Sequence, residues 1–364
     1  MTNTTIGFIG LGLIGGSIAR GLKRAHPTMT IMAYMRTRSK LEQAKEDGIV
    51  DIILDGIDDT LSACDLIFLC TPVEYNASYL EQIRPFIKPG AIVTDVGSTK
   101  TNIHTLVSEM GLEDIFIGGH PMAGSEKTGY ENSTDHLLEN AYYIISPTSK
   151  NTLDQIERMK QVALSLRAIP LVLDHKEHDF SVAAISHLPH LIASSLVKLV
   201  KDNDGETETM KRIAAGGFKD ITRIASSSPI MWEQICMTNT DNLKVLMRRY
   251  IESLESIYED LDSHNGQAIY NLFDESGRYR DTFSSRKRGP VAPIHSFSVD
   301  VVDEPGSIAI LSAILASRGI NVKNIGINNA RDYGEGALRI EFYTEEAKSD
   351  AADLLKRYNY NLSR

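Results

Sequence analysis

The chain has few residues of the kinds that cross-link a fold or hold a metal. Among its 364 residues are three cysteines and one tryptophan. The cysteines, Cys64, Cys70 and Cys236, are odd in number and stand at no metal-ligand spacing. A disulfide framework and a cysteine zinc site are therefore excluded. The pattern is typical of the reducing cytoplasm.

The sequence also lacks a long hydrophobic run and an excess of basic residues. No apolar run approaches the ~20 residues that a membrane-spanning helix needs. The apolar N-terminus has no basic region before it and is interrupted by glycines, unlike a secretory signal. The net charge of −10 is spread along the chain, which argues against nucleic-acid binding. We predict a soluble cytoplasmic protein with no membrane and no nucleic-acid partner.

Residues 1–172 alternate short apolar runs with amphipathic stretches, a pattern typical of an α/β fold. We predict strands over residues 6–9, 31–34, 66–70, 92–95, 115–118, 142–145 and 169–173. Stretches such as 17–23 and 40–47 are predicted helices. Strands that are apolar along their whole length indicate a parallel sheet covered on both faces, so we expect an N-terminal Rossmann-type domain.

In residues 173–288 the apolar residues recur at helical spacing, and strand-like runs are absent. Such positions are Val182, Ile185, Leu188 and Ile192, and then Leu243, Leu246, Met247, Tyr250, Ile251 and Leu254. We predict an all-α domain whose apolar faces form a homodimer.

Strand signals return after Gly289-Pro290. We predict a strand over 295–302, a helix over 307–318, an extended segment over 321–328, a strand over 337–343 and a helix over 345–358. This βαββα order, with a final strand added to complete the pattern, predicts a third, βαββαβ domain over residues 294–364.

A glycine-rich loop, Gly10-Leu11-Gly12-Leu13-Ile14-Gly15, lies between the first predicted strand and the first predicted helix. In such a loop the first glycine permits a tight turn and the second lets backbone approach a pyrophosphate. The third allows close helix–strand packing, and the helix N-terminus supplies free N–H groups. We predict that Gly10, Gly12, Leu13, Ile14 and Gly15 bind a dinucleotide.

The residue that would select NAD is missing. An acidic residue is expected at the end of the second strand to bind the ribose 2′-hydroxyl, but Met35 stands there, followed by Arg36-Thr37-Arg38-Ser39. Arginine could bind the 2′-phosphate of NADP, or could simply face solvent at the start of a loop. The choice between NAD and NADP stays open, with Arg36 as a cofactor-binding candidate.

Other candidates follow strands at the carboxyl edge of the sheet, where the crevice for nicotinamide and substrate forms. Thr71 and Pro72 follow one strand, and Ser98 follows another. Farther along, the loop Gly118-Gly119-His120-Pro121 carries a histidine. A neutral imidazole can accept the hydroxyl proton while an alcohol loses hydride, so His120 is the candidate catalytic base.

These motifs closely resemble the prephenate dehydrogenase family over nearly the whole chain. The segments that carry the resemblance are residues 10–16, 95–100, 118–126, 178–190, 216–224 and 229–232. The resemblance implies NAD(P)-dependent oxidative decarboxylation of prephenate to 4-hydroxyphenylpyruvate in L-tyrosine biosynthesis. It assigns the bond to the ring hydroxyl to His120 and makes Ser98 a catalytic candidate that touches nicotinamide or substrate.

The resemblance also implies where prephenate, a dianion, binds. Arg223 would pair with a carboxylate through two parallel bonds, because a guanidinium cannot lose its charge. His187 and His190 would line the cavity. Trp232 would close it, from the same subunit or from the partner.

The C-terminal segment resembles an ACT domain, a module that senses small molecules. The turn Asp303-Glu304-Pro305-Gly306-Ser307 is the most specific part of that resemblance. It implies an effector site at Asp303, Pro305, Gly306, Ser307 and Asn321, with L-tyrosine as a feedback inhibitor. Tyrosine could instead compete at the active site, because it is similar to the product.

Several alternatives remain at this stage. Arogenate could be the substrate in place of prephenate. A β-hydroxyacid dehydrogenase would use Lys100 as its base, whereas we expect Lys100 to be structural. A ligand-sensing regulator would bind nucleotide without turnover.

The histidine pairs His175/His178 and His187/His190 could suggest zinc. However, no cysteine lies at ligand spacing, and Pro189 should interrupt the helix, so we predict no metal.

Overall fold

A computed structural model describes residues 4–124, 127–285, 295–302, 304–328 and 335–363. The chain divides into two compact units, Met1–Asn271 and Leu272–Arg364.

The first unit is built on a five-stranded parallel sheet in the order β3-β2-β1-β4-β5. Its strands are β1 Thr5–Ile9, β2 Thr30–Tyr34, β3 Ile52–Ile53, β4 Leu66–Leu69 and β5 Ile92–Asp95. Successive residues of a strand face opposite sides, so β4 contributes Leu66 and Phe68 to one apolar core and Ile67 and Leu69 to another. The parallel, doubly covered sheet that the sequence predicts is thus present. The two-residue β3 was missed because it is too short to give a pattern.

A second sheet of three strands follows in the same unit. It contains β6 Ile117–Pro121, β7 Tyr142–Pro147 and β8 Ile169–Val172. The backbone N–H of Val93 donates to the carbonyl of Ile115 at 2.8 Å, which links β5 to the chain entering β6. The prediction of an all-parallel sheet is wrong at one place, because β6 pairs antiparallel with β7.

The helices of the first unit cover these sheets and then form an all-α region. They are α1 Leu13–Ala25, α2 Arg38–Glu46, α3 Asn76–Ile83, α4 Thr101–Glu109, α5 Leu153–Ser165, α6 His175–Val182, α7 Leu188–Asn203, α8 Thr209–Ile213, α9 Gly216–Thr222, α10 Pro229–Thr238, α11 Thr240–Asp262 and α12 Gly266–Ser285, which extends past Asn271.

A π-helical turn, Ala183–His187, joins α6 to α7 without a break in the helical path. The expectation that Pro189 interrupts the helix is therefore wrong. Pro189 stands in the first turn of α7, and the extra residue of the π turn accommodates it.

Among the described residues, one helical run, His175–Asn203, is long and apolar enough to cross a membrane by length and composition. The core helix of a soluble protein passes the same test. The start of this run carries His178 and Asp179, which are buried inside the first unit and hydrogen-bonded to each other.

The C-terminal residues fold as predicted in element order. They form β9 His295–Val302, α13 Ser307–Ala316, β10 Val322–Asn328, β11 Glu335–Phe342, α14 Glu345–Arg357 and β12 Leu362–Ser363. The antiparallel sheet has the order β10-β11-β9-β12, and both helices pack against it. Phe297, Leu311, Ile340 and Leu355 are among the residues of its apolar core.

Candidate active site

The turn between β1 and α1 has the geometry of a phosphate-binding loop. Gly10 adopts φ +90°, and a Cβ there would lie 2.8 Å from the carbonyl oxygen of Cys70. Space beside Gly12 is open. The first turn of α1, at Leu13 and Ile14, has neither an acidic residue nor a side-chain cap. Its N–H groups are therefore available to an anion, as a dinucleotide pyrophosphate requires.

The two arginines after β2 have different surroundings. The guanidinium of Arg36 lies over the Tyr75 ring, 5.1 Å from its centroid. Arg38 forms ion pairs with Asp55 and Glu42, which neutralise its charge. Of the two, Arg36 remains the better candidate for a 2′-phosphate.

At the carboxyl end of β5, Asp95 organises the adjacent loops. Its carboxylate accepts hydrogen bonds from the backbone N–H groups of Gly97, at 2.9 Å, and Gly119, at 3.1 Å. It also pairs with the Lys100 ammonium, which is fully buried. Burial lowers the pKa of Lys100, against the attraction of Asp95. Ser98 is half-buried in the loop between these two residues.

Close backbone packing brings β6 to this edge. A Cβ on Gly119 would lie 2.6 Å from the carbonyl oxygen of Asp95, so only glycine fits. His120 follows directly and is half-buried. On the neighbouring strand end, the Thr71 hydroxyl bonds to the side-chain oxygen of Asn76 at 3.1 Å, and Pro72 precedes a short 3₁₀ turn.

His120 is hydrogen-bonded to the helical region. Its Nδ1 lies 2.8 Å from Nε2 of His178, and Nδ1 of His178 lies 2.8 Å from Oδ1 of Asp179. Burial lowers the pKa of His120 well below its usual value. Burial would raise the pKa of Asp179, but hydrogen bonds from His178, Thr101 and Lys100 outweigh it and lower that pKa to about 2.

A second histidine group forms around Trp232. The Trp232 ring stacks on His190 with centroids 3.7 Å apart, and it meets His187 edge-on at 5.9 Å. The indole N–H is buried and has no hydrogen-bond partner in the part of the chain that the structure describes. Burial lowers the pKa of His187 to about 4, so the ring is neutral at pH 7.

The side chain of Asn239 orients His187. Its amide nitrogen donates to the carbonyl of Asp179 at 2.7 Å and lies 3.2 Å from Nδ1 of His187. Because a carbonyl can only accept, the amide orientation is fixed, and Nδ1 of His187 is the acceptor. Nε2 of His187 therefore carries the proton and is a donor for a bound anion.

Arg223 begins the 3₁₀ turn Arg223–Ser226, which packs against α7, and its side chain is exposed in the single chain. Burial lowers the pKa of His190, and the charge of Arg223 lowers it further. The structure thus brings His187 and His190 into ring contact with Trp232, and Arg223 lies near enough to His190 for its charge to act on that ring.

The predicted effector residues fall in the second unit. Pro305 and Gly306 precede α13, which begins at Ser307, and Asn321 precedes β10. Gly306 adopts φ +99°. Asp303 lies outside the described residues.

Sequence reasoning missed three residues of this arrangement, Asp95, Asp179 and Asn239. Asp95 belongs to one of the motifs, but the sequence does not show that its carboxylate accepts a hydrogen bond from Gly119. That contact depends on the fold, which brings β6 next to β5. His178 and Asp179 lie in a segment that resembles the family, and that resemblance could have identified them as site residues. Among the described residues no group of three metal-binding side chains occurs, and the absence of a metal stays a prediction.

Comparison with known proteins identifies the family. A curated prephenate dehydrogenase of Bacillus subtilis is 34% identical over 354 residues, which cover 97% of this chain and 95% of the relative. The chain belongs to the prephenate dehydrogenase family. The family models for the prephenate dehydrogenase nucleotide-binding domain and dimerization domain match residues 18–169 and 174–275.

Solved structures of prephenate dehydrogenase relatives share the fold. Prephenate dehydrogenase from Aquifex aeolicus, in complex with hydroxyphenyl propionate and NAD⁺, is 28% identical with a TM-score of 0.72, over 78% of this chain and 99% of that one. Synechocystis arogenate dehydrogenase is 30% identical with a TM-score of 0.70, over 77% of this chain and 100% of that one. The protein is thus an oxidoreductase of the prephenate dehydrogenase family with a Rossmann-like nucleotide-binding domain.

Proposed function

We propose that this protein catalyses the oxidative decarboxylation of prephenate to 4-hydroxyphenylpyruvate, a step of L-tyrosine biosynthesis. The observation that carries the proposal is the position of His120. It stands at the sheet edge where β5 and β6 meet, hydrogen-bonded to the helical region, in a chain that is 34% identical to a prephenate dehydrogenase over nearly its whole length.

Each reacting group has a physical task. When bound, the oxidised nicotinamide supplies a hydride acceptor. His120 accepts the ring-hydroxyl proton, and its lowered pKa keeps it neutral and ready to do so at pH 7. Ser98 lies in the loop after β5 and would contact nicotinamide or substrate. Loss of carbon dioxide leaves an aromatic ring, so the chain mainly has to position the reactants.

We assign substrate binding to the second histidine group. Arg223 supplies a permanent positive charge for a carboxylate of the dianion. His187 offers the Nε2–H fixed by Asn239, and the buried indole N–H of Trp232 offers another donor. His190 stacks on Trp232 and holds its ring in place.

We assign the cofactor to the loop after β1. Gly10, Gly12, Leu13, Ile14 and Gly15 would hold the pyrophosphate, and Thr71 with Pro72 would border the nicotinamide. Arg36, which stands where an acidic residue would select NAD, allows either NAD or NADP.

The remaining assignments concern the whole protein. We propose three domains, over residues 1–172, 173–288 and 294–364, and a cytoplasmic homodimer. The family model for residues 174–275 is named for dimerization, and Ile185 and Leu199 on the long helical run are exposed in the single chain.

The βαββαβ order supports an ACT-like regulatory domain, with L-tyrosine bound at Asp303, Pro305, Gly306, Ser307 and Asn321.

Arogenate is the second candidate substrate, because the Synechocystis arogenate dehydrogenase shares 30% identity and the fold. A β-hydroxyacid dehydrogenase with Lys100 as base is disfavoured, because that ammonium is buried and paired with Asp95.

The test measures absorbance of the reduced nicotinamide after the protein is mixed with each substrate and each oxidised cofactor. We expect turnover with prephenate at a higher kcat/KM than with arogenate. The opposite ranking would make the protein an arogenate dehydrogenase, and no turnover with either substrate would refute the proposed function.

A further inference from the structure

The hydrogen bonds around His178 and Asp179 determine which nitrogen of His120 carries a proton. The Asp179 carboxylate accepts from the backbone N–H of Lys100, at 2.7 Å, and from that of Thr101, at 2.8 Å. These N–H groups belong to the N-cap residue and the first residue of α4, at the positive end of the helix, which stabilises an anion. Both His178 and Asp179 are only 1% exposed. Asp179 is therefore an ionised, buried acceptor.

An ionised Asp179 constrains His178. Nδ1 of His178 lies 2.8 Å from a carboxylate oxygen that can only accept, so Nδ1 must carry a proton. In the neutral ring Nε2 is then an acceptor. Nε2 faces Nδ1 of His120 at 2.8 Å, and that bond requires the proton to be on His120 Nδ1.

The position of this proton determines the state of Nε2 of His120, the nitrogen that would react. With Nδ1 of His120 protonated, its Nε2 presents a lone pair. Among the described residues no hydrogen-bond partner contacts that Nε2. In the opposite tautomer Nε2 would carry a proton and could not accept one from an alcohol.

We propose that His178 and Asp179 are positioning residues, which hold His120 in the Nδ1–H tautomer and keep its Nε2 free to accept the substrate proton. The proposal rests on the proposed function only for the identity of that proton. The hydrogen-bond chain from the α4 N-terminus to His120 stands on the geometry alone. In a serine-protease triad, a change that imposes the wrong histidine tautomer lowers turnover by about 10⁴-fold while the geometry stays intact.

Three variants separate this role from a structural one. His178→Phe keeps a ring but removes the acceptor for His120 Nδ1–H. His178→Gln keeps both functions, because its amide oxygen can accept from His120 and its amide nitrogen can donate to Asp179. His175→Phe is the matched control, one turn earlier on α6. His175 stacks on His104 at 4.5 Å, and a phenyl ring can retain that contact.

The first readout is the tautomer, measured by ¹⁵N NMR of imidazole nitrogens in the cofactor-free protein, with His120→Asn used to assign the His120 signals. We expect Nδ1–H in the parent, in His178→Gln and in His175→Phe, and a shift towards Nε2–H in His178→Phe. An Nε2–H tautomer in the parent would overturn the proposal, even if His178→Phe failed to fold.

The second readout is steady-state kinetics with prephenate. We expect kcat to fall roughly 10²–10⁴-fold in His178→Phe, with KM within about threefold, and about a tenfold fall or less in His178→Gln. An unchanged kcat in His178→Phe would overturn the proposal. If the parent does not turn over prephenate, the proposed function fails, but the NMR result still decides the positioning role because it needs no substrate.

Discussion

Burial is the largest cause of the lowered pKa of His120, His187 and His190. It outweighs the opposing charge of Asp179 at His120 and His187. A neutral histidine can accept a proton at one nitrogen and donate at the other, whereas a charged one can only donate. At the residue scale, the proposed site therefore combines neutral imidazoles with a guanidinium, that of Arg223, which keeps its charge.

For His120, we predict that replacement with Asn lowers kcat for prephenate by roughly 10²–10⁴-fold, the range for one positioned acid–base group. Dissociation constants for the cofactor, measured by fluorescence titration, should stay the same. His136→Asn, at an exposed position, is the control. Parent-like turnover in His120→Asn would remove His120 from the chemistry.

For Arg223, we predict that replacement with Gln raises KM for prephenate roughly tenfold or more, because the carboxylate loses its charged partner. Steady-state kinetics check this, with Arg278→Gln on the exposed side of α12 as the matched control. If both variants keep the parent's KM, Arg223 has a structural role.

His104 offers a prediction about stability. Burial lowers its pKa to about 4 in the folded protein, from 6.5 when unfolded. Between these pH values the unfolded chain binds more protons, so folding stability falls as pH drops from 6.5 towards 4. His104→Leu should remove this contribution, about 2 kcal/mol at pH 5.

Urea unfolding at pH 7 and pH 5 tests that prediction. The loss of stability between the two pH values should be smaller in His104→Leu than in the parent. His136→Leu, at an exposed position, should leave it unchanged. An equal loss in all three proteins would show that His104 does not contribute.

At the scale of elements, regular hydrophobic patterns predict the structure well. The buried strands of the first unit and the C-terminal βαββαβ order follow from such patterns. The π turn at Ala183–His187 and the antiparallel pairing of β6 with β7 do not, because each depends on tertiary packing. The same holds for Asn239, whose role depends on a contact 60 residues away with Asp179.

Arg36, in the turn after β2, allows a test of the choice between NAD and NADP. If Arg36 binds a 2′-phosphate, Arg36→Asp should change the ratio of kcat/KM values in favour of NAD, because a carboxylate repels phosphate and accepts from a ribose hydroxyl. Arg38→Gln is the control, since Arg38 is already paired with Asp55 and Glu42. An unchanged ratio in Arg36→Asp would show that Arg36 faces solvent.

At the scale of the whole molecule, the C-terminal domain carries none of the catalytic residues proposed above. The solved Synechocystis enzyme matches 77% of this chain over the whole of its own length. The Bacillus subtilis relative matches 97% of this chain. The solved Synechocystis enzyme thus matches only part of this chain, which agrees with the proposal that the C-terminal residues have a separate, regulatory role.

We predict that truncation at Gly289 leaves an active enzyme that has lost inhibition by L-tyrosine. The reason is that an effector acts by binding one conformational state better than another, and its binding residues would be gone. Initial rates with and without tyrosine measure this in both forms. Equal inhibition of the full-length and truncated enzymes would mean that tyrosine competes at the active site.

The carboxylate of Asp179 has a consequence for protein engineering. It caps α4 of the nucleotide-binding portion, although it belongs to the following helical region. A fragment that stops at residue 172 would leave the Lys100 and Thr101 N–H groups without their acceptor, and His120 without its neighbour. The nucleotide-binding portion is therefore not an interchangeable module. A chimaera that exchanges it must carry residues 178–179 from the same parent, or recreate a matching pair in the new one.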